Sequence, residues 1–160
     1  MQIDNFDGAK EREILSSVIW DASVLSSVVS MVKQSPLLFK SDVANSILNW
    51  AINYYVKYNK VPGDDVRLLP SEIAETNADY AVKLTTVIES LRRPLSTNSS
   101  RLLDIASKYF DKVHVSRLID SLSSKLTRDD VQGCVESINS FSRITSKISA
   151  GVNPLTDDAA

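Results

Sequence analysis

Few residues in this chain are of the kind that does chemistry: one histidine, one cysteine, three acidic pairs and four glycines. His114 lies at helical spacing from Asp111 and Arg117, and the three read as a surface ion-pair cluster. A zinc ligand or general base at His114 would want a cysteine or a carboxylate pair nearby, and none is in reach. Cys134 has no partner for an internal disulfide and reads as a small buried apolar residue. Asp64-Asp65, Asp129-Asp130 and Asp157-Asp158 fall where helix starts or solvated turns use acids, and no further ligands complete a metal site. Gly8, Gly63, Gly133 and Gly151 are too dispersed to cradle a phosphate, and no GxxxxGK[ST] loop occurs. No serine sits in a nucleophile elbow. The residues therefore describe an interaction or assembly module, with no catalytic residue, cofactor or metal of its own.

Composition agrees. The chain has 160 residues, 43% of them hydrophobic, which suits one domain with an appended element. No apolar run reaches the roughly 20 residues of a membrane span, and Met1 to Asp7 lacks a signal core, so a cytoplasmic protein without a membrane partner is expected. Net charge is −2, which argues against a general nucleic-acid surface. The charge is uneven: residues 83–128 hold nine Lys/Arg against four Asp/Glu, whereas residues 1–82 hold seven against eleven. A basic middle between acidic ends reads as a docking face or a solvated helix face.

The elements behind these residues all read as helices. The doublets Ile14/Leu15 with Val18/Ile19, and Val24/Leu25 with Val28/Val29, have a helical period. Ser35-Pro36 breaks the second helix, and Leu37-Leu38-Phe39 forms an apolar plug. The segment from Ser41 to Lys60 carries Val43, Ile47, Trp50, Ala51, Tyr54 and Tyr58 on one stripe and Ala44, Leu48, Ile52, Tyr55 and Val56 on the next. Only Asn45, Asn49, Asn53 and Lys57 are left for water, so this is the expected central helix, stopped by Pro62-Gly63. A loop with one short helical turn follows. Then comes a helix burying Tyr80, Leu84, Val87, Ile88 and Leu91, ended by Arg92-Arg93-Pro94. Residues 95–100 form a polar linker.

From Arg101 a long helix runs to about Leu126. A second, starting at Thr127 or Asp129 and carrying Ile144 and Ile148, folds back on it. The expected fold is all-α: a compact helical bundle over 1–95, a long antiparallel hairpin over 99–149, and a linker over 150–160. The hairpin's narrow apolar stripes cannot be buried by two helices alone. The candidate interface residues are Leu118, Ile119, Leu122, Leu126, Val131, Val135 and Ile138. Some of these hold the hairpin together and others face a partner.

The order of elements also carries a resemblance. Glu13-Ile-Leu-Ser-Ser-Val-Ile19 opens it, Leu37-Leu38-Phe39 precedes a long aromatic helix, and Tyr55-Val-Lys-Tyr-Asn-Lys-Val-Pro-Gly63 closes that helix. A terminal hairpin and the tail Gly151-Val-Asn-Pro-Leu-Thr-Asp157 follow. Over residues 10–157 this resembles the N-terminal domain of DnaB-type replicative helicases, most closely those of bacteriophages. The resemblance implies a collar domain that pairs with copies of itself, as a dimer or within a hexameric ring, and docks primase or a helicase loader. DNA would be met only indirectly. ATP and magnesium would belong to a motor domain outside these 160 residues, reached through the 150–160 linker. The departure from the family pattern is that motor domain: its phosphate loop is missing here.

Two alternatives stand beside this reading. The helicase-binding domain of bacterial primases has a similar layout, and a standalone replication adaptor would share it. A small nucleic-acid-binding adaptor would instead use Arg92, Arg93, Arg101, Lys108, Lys112 and Arg117.

Overall fold

Short polar side chains write the helix starts of this chain. In the computed structural model, which describes residues 8–95 and 98–144, seven α-helices run in order. They are α1 (Gly8–Trp20), α2 (Ala22–Gln34), α3 (Asp42–Tyr58), α4 (Leu69–Ala74), α5 (Ala78–Ser90), α6 (Ser99–Thr127) and α7 (Val131–Ser140). Asp21, Ser41, Asn77, Asn98 and Asp130 each accept a hydrogen bond from a backbone N–H of the first turn they precede. Each cap answers one of the donors a helix start leaves free. No strand occurs among the described residues, so the fold is all-α as the periodicity predicts.

One core runs through α1, α2, α3, α5 and the first half of α6. The most enclosed helix is α1, not α3: residues 14–19 are buried without a break, because α1 packs on α2, α3, the Gly63–Leu68 segment and α6 at once. Its buried Ser17 hydroxyl donates to the Glu13 carbonyl at 2.9 Å, so burial leaves it satisfied. Ala44, Ile47, Leu48 and Ala51 of α3 are buried as expected, but Val56 and Tyr58 are exposed, since the last turn of α3 projects past its neighbours. The stop also comes earlier than Pro62-Gly63. Asn59 takes the left-handed conformation (φ 54°) and its N–H donates to the Tyr55 carbonyl at 2.8 Å. Gly63, at φ 55°, then opens a 3₁₀ turn, Gly63–Leu68, that leads into α4. The expected loop with one helical turn is thus almost wholly helical.

Asn45 overturns its place on the solvent strip. It is buried, and its amide brackets the Phe39 peptide: Phe39 N–H donates to Oδ1 at 3.0 Å, and Nδ2 donates to the Phe39 carbonyl at 2.9 Å. Leu38 and Phe39 are fully buried, whereas Leu37 stays exposed. Phe39 meets Phe110 edge-on at 5.3 Å and Tyr109 at 5.7 Å. The plug therefore locks α3 to α6.

The core also crosses the boundary expected at 95–99. Leu102, Leu103, Ala106, Tyr109, Phe110 and Val113 belong to the same cluster as Ile14, Leu25 and Ile47. Only the second half of α6, from about Val115, leaves it. Helix α7 starts after Asp130, not at Thr127 or Asp129, because Asp129 has a positive φ (56°) and turns the chain. It ends at Ser140, short of the expected 149. Residues 141–144 leave the helix because Asp111 captures them: Arg143 pairs with its carboxylate at 2.8 Å and the Ile144 N–H donates to it at 3.2 Å. Ile148 and the 150–160 linker, with Asp157-Asp158 and the Asn-Pro-Leu-Thr tail, lie outside the described residues.

Candidate interaction surface

The second half of α6 and all of α7 carry every interface residue named from sequence. The pairs Asp111–Arg143, His114–Phe141, Leu122–Cys134 and Lys125–Gly133 bridge the two segments. One number falls as the other rises, so α7 runs antiparallel to α6. The seam between them is small and polar. The Cys134 thiol donates to the Leu122 carbonyl at 3.6 Å. The Lys125 ammonium donates to the Gly133 carbonyl and to the Ser137 hydroxyl. Gly133 is needed close to the cap: its N–H donates to Asp130 at 2.9 Å, and a Cβ added there would collide with that carboxylate.

This seam separates the two roles left open by the sequence. Leu118 and Leu122 are half-buried, beside the partner helix. Val115, Ile119, Leu126, Val131, Val135 and Ile138 are each 42–62% exposed. Val115, Ile119 and Leu126 are spaced by four and seven residues and so share one stripe, with Leu122 between it and the seam; Val131, Val135 and Ile138 share another. Both stripes lie roughly 100° round their helix from the seam, in the same rotational sense. For antiparallel helices that places both on one side of the pair. No residue of α7 is buried. The result is a continuous apolar face made by two helices, unlike the isolated exposed Val56, Leu68 and Val82 elsewhere.

The remaining candidates fall elsewhere. His114 does not join an ion-pair cluster; it stacks on Phe141 at 4.9 Å, while Asp111 is taken by Arg143 and Arg117 donates to the Phe39 carbonyl at 2.7 Å. Cys134 is half-buried, in the seam. Asp65 accepts from the Tyr54 hydroxyl at 2.6 Å, and that bond, ahead of slight desolvation, raises the Tyr54 pKa. Among the described residues no group of three His, Cys, Asp or Glu side chains is placed to hold a metal ion. Of the six basic residues, Arg92 and Arg101 line one cleft, joined there by Arg12, which sequence spacing does not reveal; Arg117 is half-buried against the Phe39 loop.

One acid is embedded in the fold. Burial raises the Glu11 carboxyl above its ordinary range, although the Tyr109 hydroxyl and the Ser41 backbone stabilise its charge. Burial likewise raises the Tyr109 phenol, and the Glu11 carboxylate beside it adds to that shift. This pair ties α1 to α6.

No single helix among the described residues is long and apolar enough to cross a membrane. The bent pair α1–α2, turning by 111°, has the length and composition, but its apolar side chains form the core. Comparison of the chain with protein-family models, curated protein sequences and solved structures finds no match.

Proposed function

We propose that this chain is an assembly domain, the N-terminal collar of a phage replicative DNA helicase, which joins subunits and docks primase or a helicase loader. The observation that carries the assembly reading is the apolar face of α6 and α7. Six exposed aliphatic side chains on one side of two antiparallel helices are a large apolar surface for so small a domain. Burying them releases water from apolar area at about 25 cal/mol per Å², the main driving force of association. The helicase assignment rests on the sequence resemblance over residues 10–157, and on the order of short helices, plug, aromatic helix and terminal helix pair.

Light scattering on purified protein tests the assembly reading. Ile119→Glu with Ile138→Glu should convert an oligomer into a smaller species while circular dichroism stays helical. Both residues are exposed, so the pair leaves the core untouched. Unchanged mass with intact helicity sinks the proposal. The chain itself should not hydrolyse ATP, since it has no phosphate loop. Turnover that follows the protein through separate columns would contradict this.

A further inference from the structure

We propose that the cleft between the start of α1, the end of α5 and the start of α6 docks a short acidic segment of a partner protein. The cleft encloses about 370 Å³, and Arg12, Arg92 and Arg101 line it together from three separate parts of the chain. The ion pairs among the described residues are Lys10–Glu13, Lys40–Asp120 and Arg143–Asp111, and none of them takes up these three guanidiniums, though the Glu11 carboxylate attracts Arg12 without a close pair. Glu13, the one carboxylate in the lining, is held by Lys10 at 3.3 Å. Arg92 is fixed in place: one Nη donates to the Glu89 and Leu91 carbonyls, at 2.6 and 3.0 Å, at the end of α5. Its other donors are left for a further acceptor.

Three like charges round one cleft repel each other, and an incoming anion relieves that. Guanidinium forks match carboxylates with two parallel hydrogen bonds, which a lysine cannot do. The rest of the lining includes Pro94, Leu95 and Leu102, with Leu95 standing fully exposed. A peptide that mixes acids with an aliphatic side chain complements both parts. A single-stranded nucleic acid fits less well, because it wants aromatic platforms for its bases and the lining has none. From Arg101 to Val115 is 14 helical residues, about 21 Å at 1.5 Å each. The cleft is thus separate from the apolar face. It deepens the interaction-domain reading, yet it stands if self-association fails.

Fluorescence anisotropy with the full chain tests it. The probe is a fluorescein-labelled peptide of alternating aspartate and leucine, set against a matched lysine–leucine peptide and a labelled oligothymidine. The acidic peptide should bind at low salt and the basic one should not. Arg92→Gln with Arg101→Gln should weaken binding about tenfold, the upper end for losing two solvent-exposed charged contacts. Arg101→Lys, which keeps the charge and the fold but removes the fork, should also weaken it. Arg93→Gln, exposed but outside the lining, should not. Equal binding by the lysine–leucine peptide, or equal loss with Arg93→Gln, would mean general stickiness or general charge and overturns the site. Tighter binding of oligothymidine through the same arginines overturns it in favour of nucleic acid.

Discussion

At the scale of single residues, the fold turns on a few polar groups that look dispensable in sequence. Asn45 sits among Asn49 and Asn53 in a polar strip, and nothing in its spacing marks it as different. The structure shows it holding both backbone groups of Phe39. Asn45→Ala would leave a buried N–H without its acceptor and remove one donor from the carbonyl. A loss of about 2–3 kcal/mol in denaturant unfolding is expected. A loss below about 0.5 kcal/mol would mean that water replaces the amide freely. Glu11 carries a second prediction. Burial raises its pKa in the fold above the unfolded value, ordinarily 4.5. The stability linked to this group is therefore full below that value and is lost as pH rises through the folded pKa. Glu11→Gln removes the ionisation, so the variant's melting temperature relative to the parent should climb from pH 4 to pH 7. A difference that stays flat or falls over that range would contradict the burial argument.

At the scale of elements, the legible parts were those with period and punctuation. The doublets at 14/15 and 18/19 and the break at Ser35-Pro36 match the observed helices closely. Two misses are local, the left-handed turns at Asn59 and Asp129 that stop α3 early and start α7 late; the others come from contacts between segments far apart in sequence. α1 rather than α3 is the most enclosed helix because four elements converge on it. α7 stops at Ser140 because Asp111, 32 residues earlier than Arg143, captures the chain beyond. The stripe on α6 and α7 was legible; its division into seam and open face was not, since the apolar residues alone do not say which neighbours they meet. Polar and small side chains decide it: Lys125, Gly133, Cys134 and Ser137 make the seam. A helix of ten residues with no buried side chain depends on its cap. Asp130→Ala should cost about 1 kcal/mol locally. In hydrogen exchange the α7 amides should lose protection while α1 amides keep theirs. Equal loss in both helices would mean that α7 unfolds only with the whole domain.

At the scale of the whole molecule, α6 organises the surface. Its 29 residues span about 43 Å. Its first half is bolted into the core by Leu102, Phe110 and Val113, and its second half carries the apolar face outward with α7. The arginine cleft lies at the buried end and the apolar face at the projecting one, so one helix carries two surfaces of opposite chemistry. That layout suits a domain that joins copies of itself at one place and holds a partner at another. The most direct measurement is sedimentation equilibrium of the unaltered chain over a range of concentrations. A weight-average mass rising from 17.7 kDa to at least its double, with a plateau that Ile119→Glu and Ile138→Glu abolish together, is the result expected. A mass that stays at 17.7 kDa at every concentration would contradict the claim that the α6–α7 face pairs subunits.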